Sequence, residues 1–524
     1  MSGPETGWRR LDPRTVLATS ALAAGVAGGA ALPALFALGG RMPLARAVLL
    51  VLAGAVLVTG GGAAAGWVRR RRTRYRIGPE RAELHTGVLL VKRRSLPRER
   101  IRSVDLSARP LLRALGLVTV RIGTGEQTGS GESTLLLDAV SRQEGERLRK
   151  ELLDRGVPVA GGEGHRDGTL AVLDLRWIRY APVSFVAPLL GGAAVGAVLQ
   201  VSEWFGVRDR VIGWTWDHLR DVPLLWAVPA LAAFALLTGV VGALGLWIEM
   251  WSGYRLEREP GGTLRVRRGL LTSRSISLEE RRLRGVDLVE PLGARILGGI
   301  RLDAVATGLA TGGGEHASSN VLAPVAPRAE AQALAALVLR EPESPVREEA
   351  LTRHPRAART RRLRWALSAA LAPAALLALL GLLFTGVLLW TALVVAAVAV
   401  PVAVLLALDA YRNLGHGTSG AYLLTRSGTL RRSTVALQRS GVIGWTVRQS
   451  VFQRRAGLLT LAATTAAGAG AYEVRDAARD EALEFADAAV PGLLAPFLER
   501  GSGPRRGAQA PGAVPPARGA RNPG

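Results

Sequence analysis

The chain has no cysteine, only 6 histidines, 3 methionines and 5% aromatic residues in 524 positions. Without cysteine there is no disulfide framework, no thiolate metal site and no thiol nucleophile. The histidines His85, His165, His218, His316, His354 and His416 are scattered, with no pair at ligand spacing and no HExxH, so no metal site is expected. Negative charge is also scarce: 42 acidic residues face 67 basic ones, a formal net charge of +25, and almost all the cations are arginine. Mean hydropathy is nevertheless positive, at +0.21. Apolar and charged residues are therefore segregated along the chain, which argues for membrane spans with basic flanks rather than one soluble domain.

Six apolar stretches fall in three pairs: Val16 to Leu38 and Ala47 to Val68; Ala181 to Val201 and Val222 to Ile248; Trp365 to Leu389 and Trp390 to Leu408, the last two nearly continuous with a turn near Phe384–Gly386. About twenty apolar residues cross the hydrocarbon core as a helix. Arg9, Arg10 and Arg14 precede the first stretch as in a signal peptide, but its apolar part is too long and a second span follows at once. Arginine flanks one side of each pair: Arg9 to Arg14, Arg69 to Arg74, Arg176 and Arg179, and Arg353 to Arg364. Both termini and the long polar segments are thus expected on the cytoplasmic side, with Trp204, Trp214 and Trp216 in an outer interfacial belt. The span interiors hold no Asp, Glu, Lys, Arg or His, unlike most ion-coupled transporters. Pro33, Pro188, Pro229, Pro373 and Pro401 lie within or near them and read as tolerated kinks.

Each pair is followed by a polar segment, and the three segments repeat. Gly87 and Gly116, Gly269 and Gly298, Gly428 and Gly457 are each 29 residues apart. Leu96, Leu278 and Leu437 coincide in this register, as do Val104, Val286 and Trp445. After the second glycine each copy alternates: Val118, Val120, Ile122; Ile300, Leu302, Ala304; Leu459, Leu461, Ala463. That period is a strand with one buried face. Each segment closes on a helical pattern: Ser141–Glu144 as a capping box before Leu148, Leu152 and Leu153; Leu334, Leu337 and Val338 on one face; Leu483, Phe485, Leu493, Leu494 and Phe497, interrupted at Pro491. Short antiparallel strands followed by a helix can close a small barrel-like sheet with the helix over one end.

The pattern resembles bacterial pleckstrin-homology-like membrane proteins of the YdbS/YdbT type, with type-two bacterial PH domains after paired membrane helices. The residues carrying the resemblance are Tyr75-Arg76-Ile77, Gly87, Ser95-Leu96-Pro97, Ile101-Arg102-Ser103-Val104 and Pro110-Leu111-Leu112-Arg113-Ala114-Leu115-Gly116-Leu117 in the first copy. The second shows Tyr254-Arg255-Leu256, Gly269-Leu270-Leu271 and Leu297-Gly298-Gly299. The third shows Tyr422-Leu423, Arg426-Ser427-Gly428 and Phe452-Gln453-Arg454-Arg455-Ala456-Gly457-Leu458. The resemblance implies a PH-like fold and brings no established enzyme activity. The second copy departs most, with a first hairpin three residues longer.

The expected fold is therefore a multi-pass α-helical membrane protein, six transmembrane helices as three hairpins, with three cytoplasmic PH-like small β-barrel domains, each with a C-terminal helix. The segments are an N-terminal piece (1–15), hairpin 1 (16–68), domain 1 (69–155), a linker (156–180), hairpin 2 (181–248), domain 2 (249–341), a basic linker (342–364), hairpin 3 (365–408), domain 3 (409–499) and a disordered basic tail (500–524).

Catalytic signals are lacking. Gly123-Thr124-Gly125 and Gly312-Gly313-Gly314 are not followed by Lys-Ser/Thr and read as strand turns. Glu279-Glu280 reads as a solvated turn, and Ser318-Ser319 lacks a nucleophile elbow. No cofactor, metal or nucleic-acid partner is expected. The remaining candidates are anionic-lipid contacts: Arg69, Arg70, Arg71, Arg72 and Arg74, and Arg353, Arg356, Arg359, Arg361, Arg362 and Arg364. These clusters serve either to set topology or to recognise lipid. The leading function is a non-enzymatic membrane scaffold in the bacterial plasma membrane, its domains binding headgroups, protein partners or one another, with a role in envelope stress or antimicrobial resistance loosely suggested by the resemblance. The alternatives are an accessory of a transport or export system and, without any acid/base pair to support it, a lipid-modifying enzyme.

Overall fold

The structure, a computed structural model, describes residues 7–87, 91–101, 103–123, 134–153, 168–184, 186–307, 320–494 and 496. Strand β1 (Arg9–Arg10) precedes helices α1 (Thr15–Gly39) and α2 (Leu44–Arg72). The first unit follows: β2 (Arg74–Ile77), β3 (Arg81–Thr86), β4 (Lys92–Pro97), β5 (Ser103–Ala108), α3 (Pro110–Ala114), β6 (Leu117–Gly123), β7 (Thr134–Ser141) and α4 (Arg142–Leu153). Strand β8 (Gly168–Val172) then leads to α5 (Val186–Trp204), α6 (Arg208–Leu219) and α7 (Leu224–Trp251). The second unit comprises β9 (Arg255–Glu259), β10 (Thr263–Arg268), β11 (Ser273–Glu279), β12 (Leu283–Pro291), α8 (Leu292–Ile296), β13 (Gly299–Ala306), β14 (Val321–Pro327) and α9 (Arg328–Leu339). Helices α10 (Arg356–Leu383) and α11 (Gly386–Arg412) precede the third: β15 (Gly415–Ser419), β16 (Tyr422–Ser427), β17 (Arg431–Gln438), β18 (Val442–Arg448), α12 (Val451–Arg455), β19 (Leu458–Thr465), β20 (Ala471–Ala478) and α13 (Arg479–Ala489).

The 29-residue glycine interval has a backbone cause. Gly87, Gly269 and Gly428 adopt φ of 125°, 110° and 109°, and Gly116, Gly298 and Gly457 adopt 70°, 71° and 66°. These left-handed turns exclude most side chains. A Cβ at Gly269 would sit 1.9 Å from the carbonyl oxygen of Thr272. The alternating strand residues Val118, Val120, Ile122, Ile300, Leu302, Ala304, Leu459, Leu461 and Ala463 are all buried.

Among the described residues no unit closes into a barrel of its own. The second sheet of the first unit (β5–β7) joins the first sheet of the second unit through β5–β11, giving the strand order β7-β6-β5-β11-β10-β9-β8. The second sheet of the second unit joins the third unit through β12–β17, in the order β14-β13-β12-β17-β16-β15. The fourth strands of the first two units, β5 and β12, thus find their neighbours in the next unit. The two junctions share one register: Leu106 pairs with Ser275 and Ala108 with Ser273, and at the equivalent positions Leu288 pairs with Thr434 and Glu290 with Arg432.

Each helix pair is clasped at its base. Strand β1 pairs antiparallel with β2, β8 pairs with β9, and Thr352 bridges to His416. The chain entering a helix pair is therefore hydrogen-bonded to the chain leaving it.

Several boundaries differ from the sequence reading. Residues 356–364, expected in a basic linker, form the first turns of α10, because arginine is a good helix former. The last helix pair turns at Phe384–Thr385, within the expected Phe384–Gly386 turn, so the span boundary at Leu389 falls inside α11, and residues 409–412 still belong to α11. The third long apolar helix starts at Val186 after a 3-10 turn, which places Pro188 in the first turn of α5, where proline is tolerated. Residues 168–172 of the expected linker form β8. Leu337 is 45% exposed instead of facing the core with Leu334 and Val338. The expected tail, most of the 156–168 linker, Thr124, Gly125, Gly312–Gly314, Ser318, Ser319, His165, His316 and Phe497 lie outside the described residues.

Candidate functional site

The helix pairs meet the sheets at a bulge in the last strand of the outer units. In β20 the bulge spans Arg475 and Asp476, and Asp476 has φ of 58°. In β7 it spans Asp138 and Ala139, and Ala139 has φ of 62°. A left-handed non-glycine residue costs about 1–2 kcal/mol and persists where its surroundings compensate. In both units the compensation is docking of the chain that enters the helix pair. Ala139 O accepts from Asp12 N and Thr15 Oγ1, both at 3.4 Å. Asp476 O lies 3.2 Å from His354 Nδ1.

The side chains then diverge. In the first unit Asp138 binds Arg69 of α2 at 2.5 Å and accepts from Thr119 Oγ1 at 2.9 Å. In the third unit buried Asp476 reaches α10. Its carboxylate takes Arg361 at 2.5 Å and Arg362 at 3.3 Å, and accepts from Gln453 Nε2 at 2.9 Å. Gln453 is itself fixed by a capping box with Ser450 at the start of α12. Between these groups lies a cavity of about 800 Å³. Its polar wall carries Arg361, Arg362, Arg448, Glu473, Arg475 and Asp476, and its apolar wall carries Trp365 and Ala366 of α10 with Leu406, Ala407 and Ala410 of α11. Glu473 pairs with Arg448 at 3.3 Å and Arg475 at 2.8 Å.

Beside the cavity, His354 and His416 are buried and hydrogen-bonded at 3.0 Å, so two of the scattered histidines do meet in space. Burial holds both imidazoles below the usual histidine range, His416 at about 4, where proximity to His354 adds to the effect. Both are neutral at pH 7, consistent with packing rather than charge. The cavity brings together cations and an apolar slot, and among its lining residues no serine or threonine is paired with a histidine base.

The eleven candidate arginines do not form one site. Arg69 and Arg70 are engaged internally, Arg70 through Leu11 O at 3.4 Å. Arg71 lies 4.0 Å over the ring of Trp67, and Arg72 is exposed. Arg74 is a residue of β2, opposite Arg10 and His85, not a helix-end residue. Arg353, Arg356, Arg359 and Arg364 are exposed. Only Arg361 and Arg362 enter the cavity, joined there by Arg448 and Arg475, which sequence reasoning missed. A signal existed. Buried Val474 and Ala477 stand three apart, a slip in the period of two that marks the bulge.

Two stretches of the chain, 29–156 and 371–489, match the family model of the bacterial PH domain. These two stretches are similar to bacterial PH domains. The matched stretches cover the first and third units together with much of their helix pairs. No curated protein and no solved structure matches the chain. PH domains are generally non-catalytic modules. In the third unit, which lies within the second matched stretch, the cavity sits where the sheet meets its helix pair.

Proposed function

We propose that the protein is a non-enzymatic integral membrane scaffold. In this reading the six helices, each long and apolar enough to cross a membrane, anchor three PH-like units that act as one array. The observation that carries it is the pair of junctions with a common register, which joins the units through backbone ladders instead of leaving them on flexible tethers. The clasp at the base of each helix pair supports a common side for all three units and for the chain's N-terminal strand. With the arginine bias, that side is the cytoplasmic face of a bacterial plasma membrane. The exposed arginines Arg71, Arg72, Arg353, Arg356, Arg359 and Arg364 face anionic headgroups in this arrangement. Helices pack mainly in their own pairs: α5 and α7 approach so closely that a Cβ at Gly239 would meet Ala187 O at 1.9 Å. This favours anchoring over a shared transport path.

The absence of cysteine makes the test direct. Ser107→Cys with Arg274→Cys spans the first junction, and Pro291→Cys with Arg431→Cys spans the second, both at paired positions. Mild oxidation in intact membranes should close both bridges. A locked chain should recover the same partner proteins as the unlocked one. Failure of either bridge, or loss of the partners on locking, would overturn the rigid-array reading.

A further inference from the structure

The cavity at the base of the third unit holds more positive charge than its own carboxylates neutralise. Four arginines line it against two acids, Glu473 and Asp476, leaving two guanidinium charges in surplus. The Nε atoms of Arg361 and Arg362 are buried without a hydrogen-bond partner among the described residues. A buried donor without an acceptor is costly, and a charged one more so. The facing wall is apolar, formed by Trp365 and Leu406 on the membrane helices. A ligand complementary to both walls joins a phosphate-sized anion to a hydrocarbon chain.

We propose that this cavity binds the phosphate of an anionic membrane lipid, with the acyl chain lying along Trp365 and Leu406. The proposal rests on the reading of α10 and α11 as membrane helices. It singles out one place among the basic clusters. At the equivalent contact of the first unit one arginine, Arg69, meets one carboxylate, Asp138, as a single ion pair. A soluble phosphate ester shares the anion chemistry but leaves the apolar wall unused.

The full chain, purified in mild detergent, can be given phosphatidylglycerol, phosphatidylcholine or inorganic phosphate in separate arms and followed by native mass spectrometry and thermal unfolding. One phosphatidylglycerol should be retained in preference to phosphatidylcholine. Arg448 and Arg475 are 67% and 53% exposed in their side chains, so replacing them does not empty a core. Each of R448Q and R475Q should weaken retention about fivefold, while E473Q, which adds surplus charge, should strengthen it by a similar factor. R81Q with R255Q, both exposed and outside the cavity, should leave it unchanged. Equal losses in the R81Q/R255Q chain, or no preference for the anionic lipid, would overturn the proposal in favour of diffuse attraction. Protection by inorganic phosphate as strong as that by lipid would replace the lipid with a soluble phosphate compound. The junction bridges, measured in the same variants, report separately on the array.

Discussion

The two junctions share a backbone register yet are held by different means. At the second, the hydrophobic core is continuous: Tyr422, Leu424 and Ala436 of the third unit pack into the core of the second. At the first, the core of the leading unit closes on itself. Contact there passes through an ionic network in which Arg149 of α4 meets Glu259 at 2.7 Å and Arg265 of β10 meets Glu146 at 2.5 Å. Arg282 adds a hydrogen bond to Ile101 O at 3.0 Å. The ladder is thus generic, and the side chains decide how firmly, and with which neighbour, each ladder closes.

Breaking the continuous core should have the largest effect. Leu424→Ala removes a fully buried side chain at the second junction and should cost about 3 kcal/mol. Hydrogen exchange should then accelerate in β12 and β17 while β5 and β11 keep their protection. Uniform acceleration across all four strands would show that the junctions are not independent.

Next comes Arg149→Met, which leaves Glu146 and Glu259 to Arg265 alone. Because both acids are partly exposed, the expected loss is about 2 kcal/mol, confined to the first junction. Denaturant titration of the full chain, read by a probe on β11, checks it; an unchanged midpoint would reduce the network to decoration.

The smallest effect sharpens the comparison through pH. Equivalent aspartates sit in the fourth strands at both junctions. Burial pushes Asp105 up to about 7, offset in part by Arg121. Burial, with Asp303 adding to it, pushes Asp287 up to about 6. A raised carboxyl pKa means that the folded state holds its proton more tightly than the unfolded chain. The stabilisation is fully present below about 4 and is lost as pH rises through the folded value. Both junctions should therefore tighten between pH 8 and pH 5. D105N should flatten this response at the first junction only, as read by exchange at each pH after correction for the intrinsic rate.

Much of this architecture could be read from residues alone. Left-handed turns admit few residues besides glycine, so Gly87, Gly269 and Gly428 betrayed the repeat, and the alternation after Gly116, Gly298 and Gly457 located a core strand in each copy. The junctions were not legible, because Ser275 or Thr434 looks the same whether its outer neighbour is water, its own unit or the next one. Nor was the cavity. Arg361 and Arg362 stood out as members of a run, whereas Arg448 and Arg475 reach the same space only because a bulge and the end of a strand turn them toward α10.

The unused edges have a consequence for size. A unit offers a third strand on one flank and a fourth strand on the other, so two junctions leave β4 and β18 as the outermost ladders among the described residues. Continuing the shared register between two molecules would set Lys92 against Arg448, and Val91 against Gln449 where the inner junction sets Arg432 against Glu290. Like charge faces like charge, and the matching acid is missing, a known means of keeping sheet edges apart. The two open edges therefore act as stops: charge, rather than a covering helix, keeps β4 of one molecule from extending β18 of another.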